Sequence, residues 1–417
     1  MSENSRKLME LALEIGFSRL GKTSPNPSVG AVIVKNGEII STGGTAPCGS
    51  DHAEVYALKN ARTDVSGAEM YVSLEPCCHY DKRTPPCTDA IKASKISRVY
   101  IPVLDPNPAV AGKGVETLRN AGIDVVFMSD MSERAYDLIR HFKKYIFKKT
   151  PYIIHKSALT LDGKIAAKSG DSKWISSDYS RYVAHKLRSI MDAVIIGKNT
   201  MLKDDPGLDV RLDSFKDTVK EYFRRSEFKI TGRGSFFIEM LLKQIKIDSL
   251  VSPLRVVIGS PEKIDFNKKI FKDNNFLLFV DEAKKEKILK ENESDDINGL
   301  IKSKNIIFTQ WNTGKELVRI VLHELYNRGK MTVMVEGGGT AAGSFFDAGE
   351  IDQFIYFITP RLLGSGKDVV HAEGRQLISE SQILHDVSAV MLKDDILYNA
   401  YSEPTLGVCR ETECLQD

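Results

Sequence analysis

Nowhere in these 417 residues does an apolar run approach the roughly 20 residues needed to cross a bilayer as a helix. The segment from Met1 to Glu10 is polar and mixed in charge, without the apolar core of a secretory signal. A cytoplasmic location is therefore the expectation. A surplus of one charge is missing as well. The 58 Lys and Arg face 56 Asp and Glu, a net of +2, which leaves no electrostatic footprint for nucleic acid or a membrane surface. Cysteine is scarce: Cys48, Cys77, Cys78, Cys87, Cys409 and Cys414 are too few and too clustered for a secreted disulfide scaffold. In a reducing compartment such clustering points to a metal or to catalysis. Internal repeats, low-complexity tracts and the G-x-G-x-x-G dinucleotide fingerprint are all absent. What is present is an ordinary globular composition, 42% hydrophobic and 27% charged, which argues against dominant disorder. The length exceeds what one core usually serves, so two or three domains are expected.

Apolar spacing predicts an amphipathic helix over Lys7 to Leu20, broken by Ser24-Pro25-Asn26-Pro27. Val29 to Val34 and Glu38 to Thr42 read as strands joined by an Asn36-Gly37 hairpin turn. Helical character then recurs at His52 to Ala61, Thr88 to Lys95 and Val115 to Asn120, and strands at Met70 to Leu74, Arg98 to Leu104 and Val125 to Met128. This describes a three-layer α/β domain over residues 1–147. The basic run His141 to Lys149 is read as a solvated helix face leading into a linker at Pro151. A second α/β domain follows over residues 151–403. Its strands are expected at Tyr152 to Leu159, Ala193 to Ile196, Leu254 to Ile258, Phe276 to Val280, Ile306 to Phe308, Thr332 to Val335 and Phe354 to Thr359. Several lack polar alternation, as strands buried on both faces do. Helices at Ser177 to Ser189 and Lys315 to Asn327 complete the pattern of a mostly parallel sheet. Residues 214–252 read as an insertion, polar and basic without a clear strand, and residues 404–417 as a frayed tail.

The chemistry concentrates in His52-Ala53-Glu54, Glu75-Pro76-Cys77-Cys78 and Thr84-Pro85-Pro86-Cys87. This resembles the H-x-E … P-C … C signature of zinc-dependent base deaminases. A catalytic zinc takes three protein ligands and keeps one position for water. His52, Cys77 and Cys87 can supply one imidazole and two thiolates. Glu54, two residues from His52, can shuttle a proton without competing for the metal. Cys77 is preferred to Cys78 because Pro76 fixes the backbone before it. A purely structural zinc with a fourth ligand, from Cys78, His79 or Cys48, is the alternative, but it leaves Glu54 without a role.

Further motifs extend the resemblance. Pro25-Asn26-Pro27-Ser28-Val29-Gly30, Arg83-Thr84-Pro85-Pro86-Cys87, Asp105-Pro106-Asn107-Pro108 and Ala111-Gly112-Lys113-Gly114 occur in the first half. Lys156, Leu161-Asp162-Gly163-Lys164, Gly170-Asp171-Ser172-Lys173-Trp174-Ile175, Asp204-Asp205-Pro206 and Val335-Glu336-Gly337-Gly338 occur in the second. In this order, over nearly all of the chain, they resemble the bifunctional deaminase–reductases of riboflavin biosynthesis. The resemblance implies a cytidine-deaminase-like domain followed by a dihydrofolate-reductase-like domain. It also implies hydrolytic removal of the 2-amino group from a phosphoribosylated diaminopyrimidinone, then NADPH-dependent reduction of ribosyl to ribityl, with Zn2+ and NADPH as cofactors. By resemblance, Asn26, His79, Arg83 and Thr84 meet substrate in the first domain. Lys156, Ser172, Arg188, Leu208 and Arg211 do so in the second. Leu159, Trp174, Thr200, Asp204, Glu336, Gly337 and Gly338 take cofactor positions. The family commonly self-associates.

The chain departs from the family pattern in places. The Cys77–Cys87 stretch is one residue longer, which leaves Lys82 or Arg83 as the basic substrate contact. Cys78 stands where serine is usual, and Gly259-Ser260 where an acidic residue is frequent. From the residues alone, Lys156 is a strand-edge, snorkelling or site lysine, Trp174 a cofactor cover or a packing residue, and Arg188 and Arg211 each a phosphate partner or an ordinary ion-pair partner. Other readings of the chain are a deaminase of a different nucleoside or base with a non-reducing C-terminal half, or a non-catalytic zinc protein.

Overall fold

A computed structural model describes residues 2–80, 84–243, 251–291 and 295–404. The chain forms two compact units. The first holds residues up to Lys149 together with a segment that starts at Ser235. The second holds Thr150–Gly234 and resumes after that segment, ending at Pro404.

In the first unit, helix Glu3–Ser18 is capped by Ser2, whose hydroxyl accepts the Ser5 N–H at 3.1 Å. It buries Leu8, Met9, Ala12, Leu13 and Phe17. The strand beneath it, Gly30–Lys35, pairs antiparallel with Glu38–Gly44 and with Glu69–Val72. Arg98–Ile101 and Asp124–Phe127 extend the sheet in parallel, giving five strands. The hairpin turn forms where it was expected. Asn36 and Gly37 both have positive φ, 56° and 83°, the twist that suits a two-residue hairpin. Gly43 lets helix Ala53–Lys59 lie against this hairpin, because a Cβ there would sit 2.3 Å from the Ala53 carbonyl and 2.5 Å from the Ala57 nitrogen.

The basic run at His141 forms the C-terminal half of helix Ser132–Lys148, with Lys148 and Lys149 exposed and the first unit running to Lys149, as expected; His141 and Phe142 are buried on its inner side. One expectation needs correction. The described residues of the expected insertion, 214–243 and 251–252, are not simply polar and irregular. They include helix Asp217–Arg225, the short strand Thr231–Gly232 and helix Phe236–Leu242. In the last of these, Phe236, Phe237, Ile238, Met240, Leu241 and Leu242 are all buried. Its start is pinned within the first unit: Asp137 Oδ2 accepts the Ser235 hydroxyl at 3.0 Å and the Phe237 N–H at 2.8 Å. Phe17 meets Phe236 and Phe237 edge-on, with ring centroids 6.3 and 5.6 Å apart, and Arg134 pairs with Glu239 at 2.9 Å. This apolar helix buries itself on the N-terminal unit although its sequence lies in the middle of the C-terminal one.

The second unit is built on a ten-stranded sheet. Seven parallel strands run in the spatial order Ile306–Thr309, Phe276–Asp281, Leu254–Ile258, Ala193–Gly197, Thr332–Glu336, Tyr152–Thr160 and Gln353–Thr359. Asp395–Tyr401, His385–Leu392 and Thr231–Gly232 continue it antiparallel. The central parallel strands are buried along nearly their whole length, which explains their unalternating apolar sequences. Helix Gly314–Asn327 contributes Leu317, Val318, Val321, Leu322 and Leu325 to the core, and helix Gly339–Asp347 contributes Phe345. A separate two-stranded ribbon pairs Lys164–Ala167 with Gly366–Asp368. Among the described residues no helix is long and apolar enough to cross a membrane.

Candidate active sites

In the first unit His52 is the residue that caps helix Ala53–Lys59, so Glu54 falls in its first turn. Cys87 opens helix Cys87–Ala93, and its N–H reaches the Cys77 sulfur at 3.5 Å. These local geometries aim three ligand atoms at one point. His52 Nδ1 lies 3.5 Å from Cys77 Sγ and 3.3 Å from Cys87 Sγ, and the two sulfurs are 3.3 Å apart. Tetrahedral zinc with bonds of about 2.0–2.3 Å holds such atoms roughly 3.5–3.8 Å from one another. The donor set therefore fits zinc after a shift of a few tenths of an ångström. Among the described residues no fourth His, Cys, Asp or Glu joins the group. Cys78 lies outside it, and burial together with Glu75 and Cys77 raises its thiol pKa.

Glu54 is buried at 4% exposure. Burial raises its pKa above the ordinary carboxyl value and the Cys77 charge adds to that, while His52 opposes it. Asn26, His79 and Thr84 are partly buried in the same unit. Lys82 and Arg83 lie outside the described residues.

Two acidic residues near this centre had no role assigned from sequence. Glu75, 2% exposed, accepts the Asp105 N–H at 3.0 Å, the Gly112 N–H at 2.9 Å and the Val115 N–H at 3.1 Å. It ties the loop after strand Arg98–Ile101 to the segment that carries Cys77. Gly114 permits this approach, since a Cβ there would lie 2.2 Å from the Pro76 carbonyl. Asp105 is buried, and desolvation, aided by Glu75, Cys77 and Glu54, pushes its pKa up to about 7 against the hydrogen bond from Asn107. A Glu-Pro-Cys run with Asp-Pro-Asn downstream signals such a brace, but only folding shows which amides the carboxylate holds.

In the second unit Glu336 and Lys156 are register partners on adjacent central strands. Lys156 Nζ lies 3.0 Å from Glu336 Oε1. Arg188, near the end of helix Asp178–Ser189, reaches both Glu336 oxygens from Nη2, at 2.8 and 2.7 Å. Its Nη1 donates to the Asp209 carbonyl at 2.8 Å, while its buried Nε has no hydrogen-bond partner among the described residues. Burial alone would raise the Glu336 pKa, but Arg188 and then Lys156 outweigh it and hold the carboxyl well below its ordinary value. Lys156 is thus not at a sheet edge; its strand is internal and its ammonium is ion-paired.

Gly337 and Gly338, with φ of 86° and 65°, turn the chain from strand Thr332–Glu336 into helix Gly339–Asp347. Added Cβ atoms would stand 3.4 and 3.3 Å from Thr200. This backbone cradle at a helix start, with a hydroxyl beside it, fits the phosphates of a nicotinamide dinucleotide. Leu159 is buried in its strand, and Asp204 is exposed at the end of helix Lys198–Asp204. Leu208 is buried at φ 52°, and Arg211 is exposed. Ser172 is partly exposed. Trp174 is not a core residue. It is 68% exposed, with the Arg181 guanidinium 4.3 Å from its ring centroid.

Residues 2–103 match the family described as the cytidine and deoxycytidylate deaminase zinc-binding region, and residues 151–397 match the RibD C-terminal domain. The riboflavin biosynthesis protein RibD of Aquifex aeolicus is 38% identical over 368 residues, covering 88% of this chain and 90% of that protein. That of Escherichia coli is 33% identical over 357 residues, covering 86% and 88%. A crystal structure of a diaminohydroxyphosphoribosylaminopyrimidine deaminase/5-amino-6-(5-phosphoribosylamino)uracil reductase from Thermotoga maritima is similar at a TM-score of 0.73 and 31% identity, over 95% of this chain and 98% of that one. Acinetobacter baumannii RibD is similar at a TM-score of 0.73 and 28% identity, over 96% and 99%.

Proposed function

This chain belongs to the bifunctional deaminase–reductase family of riboflavin biosynthesis, and from that premise we propose which of its groups carry each reaction. It is a zinc-dependent deaminase and an NADPH-dependent reductase in one polypeptide. We assign the first activity to residues 1–147 and the second to residues 151–403, with helix Phe236–Leu242 serving the first unit.

The observation that carries the deaminase assignment is the convergence of His52 Nδ1, Cys77 Sγ and Cys87 Sγ beside a buried Glu54. Zinc held there by His52, Cys77 and Cys87 would supply Lewis acidity and would bring the pKa of a ligated water towards about 7. Glu54 would carry that water's first proton to the ring nitrogen next to the reacting carbon. It would then take the second proton from the hydroxyl added to that carbon and pass it to the departing amine. The C–NH2 bond breaks, a C=O forms and ammonia leaves, so one water is consumed. Asn26, His79, Thr84 and Arg83 or Lys82 bind the pyrimidine and its phosphoribosyl arm.

In the reductase, NADPH held at the Gly337–Gly338 cradle would supply a hydride to C1′ of the ring-opened imine form of the ribosylamino group, and the nitrogen would take a proton. Lys156, Arg188, Leu208, Arg211 and Ser172 bind this substrate. The buried, unpartnered Nε of Arg188 favours an anionic group such as the 5′-phosphate. Gly337, Gly338, Thr200, Leu159, Asp204 and Trp174 receive the dinucleotide. Glu336 was expected among these cofactor residues; its ion pairs to Lys156 and Arg188 favour orientation of the substrate side instead. The near-neutral net charge supports a small-molecule substrate over nucleic acid. Exposed Leu362, Leu363, Leu377, Ile378 and Ile383 support self-association.

A coupled assay tests the reading. The phosphoribosylated diaminopyrimidinone is supplied, ammonia release is followed, and NADPH is then added and its oxidation followed. Ammonia release that requires zinc and Glu54, followed by NADPH consumption, is the expected result. Ammonia without NADPH oxidation removes the reductase assignment.

A further inference from the structure

The segment between helix Lys198–Asp204 and the turn Leu212–Ser214 has a backbone its side chains do not favour. Asp205 and Leu208 both lie in the left-handed region, at φ 43° and 52°, which non-glycine residues adopt only when surrounding contacts hold them. The contacts here are specific. Lys269 N–H donates to Asp205 Oδ1 at 2.9 Å, and Arg188 Nη1 holds the Asp209 carbonyl at 2.8 Å. One turn before Arg188 on the same helix, His185 Nδ1 accepts the Arg211 N–H at 3.1 Å. An imidazole that accepts at Nδ1 carries its proton on Nε2. Phe215 packs edge-on against the ring, centroids 5.4 Å apart at 71°, and fixes its plane. Burial, with Arg188 adjacent and Arg211 and Lys156 also nearby, lowers the imidazole pKa to about 4, against the pull of Glu336. The ring is therefore a neutral acceptor at physiological pH.

We infer that His185 is a positioning residue of the reductase: by accepting the Arg211 amide it holds residues 205–211 in the one conformation that sets Leu208 and Arg211 against a phosphorylated substrate engaged by Arg188. This rests on the assignment of that segment to the substrate side of the reducing centre. His185 touches neither reactant, so its loss acts on substrate affinity rather than on hydride transfer or on the glycine cradle at Gly337–Gly338.

The test uses the full chain with zinc and compares His185→Leu, His185→Asn and His185→Gln. Leucine removes the acceptor. Asparagine places its Oδ1 where Nδ1 was, and glutamine moves the oxygen one bond farther. The expected result for His185→Leu is a KM for the deaminated phosphoribosylaminopyrimidine raised about tenfold, the loss expected for one hydrogen bond that holds the segment in place. Its kcat and KM for NADPH stay within about twofold, as groups that contact neither demand. His185→Asn restores the substrate KM and His185→Gln does not. An unchanged substrate KM in His185→Leu overturns the inference, as does equal behaviour of the Asn and Gln variants. If His185→Leu does not fold, the Asn and Gln comparison decides alone. If the wild-type chain does not oxidise NADPH with this substrate, the reductase reading itself has failed and the inference falls with it.

Discussion

Replacing Glu336 by glutamine removes one negative charge from between two cations that the fold has already taken out of water. The side chains of Lys156, Arg188 and Glu336 are only 12%, 9% and 16% exposed, so solvent screens the loss poorly. Breaking a buried pair from one side costs about 3–5 kcal/mol, because the remaining charge stays desolvated. The pH dependence discriminates this cause from lost packing. The Glu336 pKa is depressed in the folded state, so its stabilisation is complete above the unfolded-state value of roughly 4.3 and declines as pH falls towards the folded one. Glutamine cannot titrate, so the difference between wild type and variant should shrink below about pH 4.3, at up to roughly 1.4 kcal/mol per pH unit. Both tryptophans of the chain, Trp174 and Trp311, lie in the second unit. Urea unfolding followed by tryptophan fluorescence therefore reports on that unit. The expected outcome is a loss of about 3–5 kcal/mol at neutral pH that narrows in acid, with NADPH oxidation lost and ammonia release kept. A difference that is constant between about pH 7 and pH 3.5, or smaller than about 0.5 kcal/mol throughout, refutes the electrostatic account.

Three further outcomes are expected. Glu54→Gln lowers ammonia release by about 10²–10⁴-fold while metal analysis finds zinc still bound and NADPH oxidation of the deaminated intermediate continues. Phe237→Ala removes a ring packed on Phe17 and costs the first unit about 3–5 kcal/mol, read as earlier thermal loss of ammonia release than of NADPH oxidation. Gly337→Ala forces a side chain to φ 86° and to within 3.4 Å of Thr200, at about 1–3 kcal/mol, and raises the KM for NADPH in steady-state titration with the substrate KM held.

Much of the N-terminal site was legible because its chemistry is local. His52 and Glu54 sit two apart at a helix start and Cys87 opens the next helix, so short-range geometry brings the ligands close to their final directions. The turn at Asn36-Gly37 was legible for the same reason: two residues that tolerate positive φ stand between alternating strands. The parallel strands announced themselves by unbroken apolar runs, since both of their faces are buried. The reductase residues were named through resemblance, and their mutual contacts were not. Nothing in sequence spacing joins Glu336 to Arg188, 148 positions earlier; the placement of helix Asp178–Ser189 against the end of strand Thr332–Glu336 does that.

What the sequence by itself determined was therefore the candidate zinc ligands His52, Cys77 and Cys87, the element types near them and the presence of two α/β units, because each depends on periodicity, turn chemistry or ligand spacing over a few residues. Tertiary structure alone decided where long-range partners meet. The run Phe236–Leu242 declares by its composition that it must be buried, yet only packing against Phe17 and the cap from Asp137 show that the first unit receives it. The same holds for the Glu75 brace, the His185 acceptor and the Lys156–Glu336–Arg188 cluster. In each case a polar group taken wholly or partly out of water needs a partner, and the fold, not the neighbouring sequence, supplies it.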